Sequence, residues 1–353
     1  MGMSMKKASR NIMRRIREIL LFSFFVLTLI ISGCGGNETK IKVHHSRDNN
    51  VEVEKSEISF WLPNGEILSS RRSLVMADSL LLILDHKSFE NVVSVYSASN
   101  YNYCGSFGIF GEGPGEIGIL GSSAYSHNGN KLLVKDLAKL VVYSFDIDSA
   151  LTSGDYRPSL FSKDNSAEIM NRMFVVSDTS IIVQRIEVTS SSSGAFVLGR
   201  YNPNTQSFVQ YTDPNRSAQY PFAVSPDDNL IVEAGSWWDE LFLYDLDGNL
   251  KCEIRGPMYS SDHNRSQLHT FGSPMIAHGL IYVTWRGVRS GRGDLSYIDT
   301  IHVYSIEGDY IKTIKVPYRV RSMIYNPIRD TFIFSFNDFD EFGEIERSYI
   351  ESL

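Results

Sequence analysis

A tyrosine that ends a short apolar strand recurs down this chain, in Val95-Tyr96, Val142-Tyr143, Arg200-Tyr201, Leu243-Tyr244 and Val303-Tyr304, with Tyr349 in the corresponding place near the C-terminus. Successive tyrosines are 47, 58, 43, 60 and 45 residues apart. Around each copy the order is the same: an apolar strand, a tight turn, a more strongly apolar strand, a variable loop, the Tyr-ended strand, a second tight turn and a fourth strand. Repeats of that size built from four short strands are the mark of propeller blades, which bury their faces only against neighbouring blades. Six copies predict an all-β, six-bladed β-propeller with four-stranded antiparallel blades over residues 57–353.

The strand sets fall at residues 73–107, 121–161, 170–211, 221–255, 272–315 and 321–352. The last set has only three recognisable strands, and the segment Glu57 to Leu62 is expected to supply the fourth and close the ring. Closure removes an exposed sheet edge. A seventh blade would have to hide in 255–272 or 285–300, where four strands do not fit, and a β-sandwich would not explain a four-strand order repeated six times. Within the blades the first-to-second and third-to-fourth turns are short, while 108–120, 185–195, 256–271, 285–299 and 337–347 are long. These two classes lie on opposite faces, so the long connections are expected to rise together around one mouth of the channel, where binding residues gather.

The N-terminus carries Lys6, Lys7, Arg10, Arg14, Arg15 and Arg17, then an apolar run of 13 residues from Ile19 to Ile31 broken by Ser23 and Thr28. That is a secretory signal, too short for a spanning helix. Ile31-Ser32-Gly33-Cys34 resembles a bacterial lipobox, which implies cleavage before Cys34 and acylation of its thiol, with residues 1–33 as the signal peptide. Removing them would move the net charge from -7 to -12, so the lipid rather than a basic patch would hold the chain to the membrane, and nucleic acid is not an expected partner. Residues 34–56 are polar, lack an apolar period and are expected to be a flexible tether. Cys104 and Cys252 are expected as buried free thiols.

No Gly-x-Ser-x-Gly, His-Glu-x-x-His or Cys-x-x-Cys is present, so neither a metal nor an organic cofactor is expected. The segment Gly108 to Glu116 contains Gly-Glu-Gly-Pro-Gly-Glu but no Lys-Ser/Thr and no following helix, which makes it a turn in which Gly113 and Gly115 supply special backbone angles rather than a phosphate loop. Asp245-Leu246-Asp247-Gly248-Asn249 reads as a hairpin turn, since the EF-hand Glu is missing. His263 and His269 share a loop with Asp262 at a spacing that matches no metal motif. Trp237, Trp238, Trp285, Arg286 and Arg289 combine aromatic faces with guanidinium forks on two long connections and are the expected ligand contacts. Asp239, Glu240, Asp294 and Asp299 lie near them in sequence, without the assignable spacing of a catalytic pair.

Gly108-Ile109-Phe110-Gly111-Glu112-Gly113-Pro114-Gly115-Glu116 after a fourth strand, together with the lipobox and the blade pattern, resembles the six-bladed propeller lipoproteins of the Bacteroidetes, relatives of TolB-like and NHL-type propellers. The resemblance implies fold and envelope location but no reaction. The expectation is therefore a lipid-anchored envelope binding module for a glycan, peptide or protein partner. An envelope lyase or hydrolase with a channel-bound metal is the alternative.

Overall fold

Leu80–Asp85 reads Leu-Leu-Leu-Ile-Leu-Asp, and five of its six residues are buried. A strand so apolar on both sides needs a covered surface above and below it. Leu82 and Leu84 pack with Leu132 and Val134, whereas Leu81 and Ile83 pack with Ile333 and Phe342. One strand thus serves two seams, at roughly 1.5–3 kcal/mol per large side chain removed from water. Such seams, repeated around the ring, define the fold.

The computed structural model describes residues 39–64, 68–69, 71–165, 167–190, 193–213, 220–262, 268–289 and 298–353. Six antiparallel sheets follow one another along the chain as the blades of a propeller. Blade one is Arg72–Ala77, Leu80–Asp85, Asn91–Ser97 and Tyr103–Ile109; blade two is Leu120–Ser126, Lys131–Asp136, Val141–Asp146 and Ser159–Lys163. Blade three is Glu168–Ser177, Ser180–Ser190, Ser193–Asn202 and Ser207–Gln210; blade four is Phe222–Ser225, Leu230–Ala234, Glu240–Tyr244 and Leu250–Arg255. Blade five is Leu268–Ala277, Leu280–Arg289, Thr300–Ser305 and Tyr310–Lys315. Blade six is Val320–Asn326, Thr331–Phe336 and Phe342–Glu346, completed by Ser59–Trp61.

Ring closure is as expected: Ser59–Trp61 pairs antiparallel with Phe342–Glu346, placing Trp61 opposite Phe342. The Trp61 ring stacks on Phe342 at 4.7 Å and on Tyr101 of the neighbouring seam at 4.1 Å. The last repeat differs from the expected pattern. Its third strand stops at Glu346, and Tyr349 sits in a short helix, Arg347–Ser352, where it does not end a strand.

Residues 40–52 are not a flexible tether. Lys40–Val43 adds a parallel fifth strand outside Leu250–Arg255, and Asn50–Glu52 does the same outside Tyr310–Lys315. An edge strand is held through its main chain while most of its side chains meet water, so it needs no apolar period, and the polar sequence concealed it. Between the two, Arg47 turns inward. Its Nη2 and Nη1 donate to Asp239 Oδ1 and Oδ2 at 2.5 and 3.2 Å, and its guanidinium lies 5.0 Å from the centre of the Trp285 ring. Burial opposes the Arg47 charge, but Tyr304 and Asp239 outweigh it and the pKa is raised. The bridge passes over Gly256, where a Cβ would sit 2.2 Å from Arg47 Nη2 and 2.3 Å from both Asp239 oxygens. No larger residue fits there.

The glycine-rich loop is a closed structural turn with one correction. Gly115 has φ +77, but Gly113 does not need an unusual φ; a Cβ on it would instead meet the Glu116 carboxylate at 2.8 Å. Lys139 fills the loop, its Nζ donating to the carbonyls of Gly113 at 2.9 Å and Glu116 at 2.7 Å. The Asp245 turn is a hairpin, with Asp245 Oδ1 accepting from the backbone N–H groups of Asp247 and Asn249. Both cysteines are free, but Cys104 is exposed on an outer strand and only Cys252 is buried.

Candidate ligand site at the channel mouth

The first strand of each blade is terminal in its sheet, and first strands of neighbouring blades touch in at least five of the six seams, which places them around the central channel. Four of them slip register near their beginnings: between Leu120 and Ser123, Met170 and Arg172, Phe271 and Pro274, and Val320 and Ser322. Bulges at a rim re-aim side chains that a regular strand would hold against its neighbours. A fifth irregularity lies on the second strand of blade five, where Arg286 and Gly287 lie between the paired Trp285 and Val288, with Gly287 at φ +62.

The bulges of blades three, five and six border a cleft of about 280 Å³ lined by Arg172 of blade three, Gly272, Ser273, Thr284 and Arg286 of blade five, and Arg321 and Ser322 of blade six, with Pro221, Ser236, Phe271, Ile298 and Met323 completing the wall. Arg172 reaches past blade four, its Nη1 donating to Ser273 Oγ at 3.3 Å. Arg286 Nε and Ser322 Oγ are buried without a hydrogen-bond partner. Burial draws both Arg172 and Arg286 below the usual guanidinium range, and no carboxylate offsets it. Guanidinium groups stay charged in proteins regardless. Among the described residues no Asp or Glu lines the cleft.

The expected contacts divide around this cleft. Half-buried Trp237 lies with its ring 4.2 Å from that of His269, whose pKa is lowered by burial and then by Arg286. Those three therefore meet at one edge. Trp238 does not face a ligand: it is 8% exposed and stacks on Tyr220 at 6.0 Å, because the next residue, Asp239, is drawn under Arg47. Trp285 alternates with Arg286 along the strand and packs away from the cleft, on Phe271 at 4.8 Å and under Arg47. Arg289 is exposed, and His263 and Cys34 lie outside the described residues.

The nearby carboxylates are committed elsewhere. Asp239 binds Arg47, Glu240 accepts from Tyr220 Oη at 2.7 Å, and Asp299 lies 3.6 Å from Lys315; Asp294 is outside the described residues. Among the described residues, no group of three or more His, Cys, Asp or Glu side chains is placed to hold a metal ion. A hydroxyl–imidazole contact, Ser73 Oγ to His86 Nε2 at 2.6 Å, joins blade one to blade two through His86 Nδ1 and the Leu120 carbonyl. Burial keeps that imidazole below its ordinary pKa.

Two connections expected as loops contain strand. Blade three carries its hairpin to Ser190 and resumes at Ser193, and blade five continues to Arg289. Val188 to Ser190 and Arg289 are exposed, so the apolar alternation fades toward these strand ends. Arg172 and Arg321 were not among the expected site residues. Their local signal is two polar residues in succession inside an alternating strand, Asn171-Arg172 between methionines and Arg321-Ser322 between Val320 and Met323. That phase slip marks a bulge.

No family model matches this chain, and no curated protein sequence matches it. Solved structures share its fold. A Bacteroides vulgatus member of the DUF4221 family superposes with a TM-score of 0.55 at 10% identity, covering 83% of this chain and 98% of that one. A Bacteroides fragilis protein taken to be exported gives 0.54 at 13% identity, covering 83% and 87%. The extracellular domain of a B. thetaiotaomicron one-component system gives 0.50 at 12% identity, covering 78% of this chain and 33% of that one.

Proposed function

We propose that this chain is a lipid-anchored binding module of the bacterial envelope that receives its ligand at the long-connection mouth of the propeller. The observation that carries the reading is the cleft between blades three, five and six, lined by three arginines and by serine and threonine hydroxyls. The signal and lipobox at residues 1–34 support the address, as do structural neighbours described as exported or extracellular. Membership of the Bacteroidetes propeller lipoproteins belongs to the same reading. The ligand is a glycan, peptide or partner protein. Trp237 and Arg286 border the entrance, and Trp238 and Trp285 hold the walls behind them.

One experiment tests both address and binding. Cys34→Ala should leave the membrane fraction, because acylation requires that thiol. The released protein is then used to capture material from cell envelopes, alongside Trp237→Ala and Asp247→Ala in the same background. Capture should fall about tenfold with Trp237→Ala and be unchanged by Asp247→Ala on the opposite face. Retention of Cys34→Ala in washed membranes contradicts the anchor. Capture indifferent to Trp237 contradicts the site. Stoichiometric metal retained through dialysis, with turnover of envelope glycans, would replace the binding module with an enzyme.

A further inference from the structure

Resting on the binding-module reading, we infer that Arg172, Arg286 and Arg321 form an oxyanion site that takes the acidic end of a glycan, a sugar bearing a carboxylate or a sulfate ester. The chain as a whole is acidic, with 34 basic and 41 acidic residues. Three guanidiniums nevertheless line one cleft with no described carboxylate among them. Burial without a counter-charge disfavours the charged guanidinium at Arg172 and Arg286, while Arg321 is exposed. An anion in the cleft supplies the missing counter-charge, and a carboxylate or sulfate matches the forked geometry of the guanidinium.

Unused hydrogen-bonding capacity points the same way. Each guanidinium carries five N–H donors. Arg172 spends one on Ser273, Arg286 keeps a buried Nε unpartnered, and Arg321 makes no hydrogen bond to a described residue. Arg321 also repels Arg72, whose own guanidinium is held by Ser335, the Asp340 carbonyl and the Phe342 ring. The bulges of blades three, five and six, which belong to separate parts of the sequence, bring the three arginines to the same cleft.

The wall favours a sugar over a peptide. Hydroxyls of Ser273, Thr284 and Ser322 are interleaved with the guanidiniums, and Ser322 Oγ is buried without a partner. Hydroxyl groups of that kind pair with sugar hydroxyls, and the apolar part of the wall, Pro221, Phe271, Ile298 and Met323, is available to the C–H face of a ring. At about 280 Å³ the cleft lies at the small end of ligand pockets, which suits one terminal ring and not a folded segment.

The test is calorimetric titration of the purified, detergent-solubilised full chain with trigalacturonate, its carboxyl-reduced neutral counterpart, a sulfated trisaccharide and triglutamate. Either acidic trisaccharide should bind at least about tenfold more tightly than the neutral one and weaken with added salt; which of them binds separates carboxylate from sulfate. Arg172→Gln, Arg286→Gln and Arg321→Gln should each weaken that binding by about tenfold or more. Arg200→Gln, on the short-turn face, should not. Melting curves of the three variants at or above wild type exclude misfolding as the cause. Equal binding of the neutral trisaccharide, tighter binding of triglutamate, binding indifferent to all three substitutions, or no binding of either acidic sugar at millimolar concentration overturns the inference. Envelope capture that depends on Trp237 would survive each of those results, so failure of the anion site and failure of the binding module are separable.

Discussion

Arginines of the channel cleft and of the short-turn face of this propeller live in opposite circumstances. On the short-turn face Arg200 meets Asp247 at 2.8 Å, Arg329 meets Glu344 at 2.7 Å, and Arg347 meets Asp330 at 2.6 Å and Glu351 at 2.5 Å. At the channel mouth Arg172, Arg286 and Arg321 have no carboxylate partner among the described residues. Paired arginines stitch turns and seams together, and they occur at the long-connection end as well, where Arg185 meets Glu187 and Arg319 meets Asp338. The three arginines of the cleft differ from all of these, and on the proposal above that difference is what an anion would use.

The sharpest break of that contrast comes from the most deeply paired arginine. Arg47→Ala leaves Asp239 with its side chain 0% exposed and no cation beside it, although Met258 N–H still donates to it at 3.0 Å. Breaking a buried pair from one side costs about 3–5 kcal/mol. Denaturant unfolding should show a loss of that order, and Arg47→Met with Asp239→Asn should recover part of it. A loss below about 1 kcal/mol would mean that residues 40–52 do not clamp blades four and five.

A smaller effect is expected at the paired Glu344. Burial pushes this carboxyl up, but hydrogen bonds from Arg329, Thr331 and Tyr101 outweigh it and lower the pKa from the ordinary value of 4.5. A depressed folded pKa contributes stability that is fully present above the unfolded value and disappears as the pH falls through the folded one. The melting temperature of the wild type should therefore drop as the pH is lowered below about 4.5, with a shallower drop in Glu344→Gln. Parallel profiles for the two proteins would remove Glu344 from the account.

The contrast also explains what the sequence disclosed. Blade seams are legible because each middle strand must be apolar on both faces, as Leu80–Asp85 is, and because the pattern returns six times. Closure by Phe60 and Trp61 was legible from the missing fourth strand of the last blade. The strap over residues 40–52 was not, since main-chain pairing on an outer edge leaves its side chains free to be polar. Arg286 stood out beside Trp285, but Arg172 and Arg321 are far apart in sequence and meet only through the ring. Trp238 and Trp285 misled because an aromatic beside a charged residue looks the same in sequence whether it faces a ligand or supports the wall.

The central claim is that the channel arginines are uncompensated in the ligand-free protein, and the melting temperatures of single Arg→Gln variants without ligand test it most directly. Removing a guanidinium buried without a counter-charge relieves its desolvation cost, removing an exposed unpaired one costs little, and removing one member of an ion pair loses attraction. Arg172→Gln, Arg286→Gln and Arg321→Gln should melt at or slightly above wild type, and Arg329→Gln roughly a few degrees below it. If the three channel variants melt as far below wild type as Arg329→Gln does, these arginines are structural and the contrast between the cleft and the short-turn face is wrong.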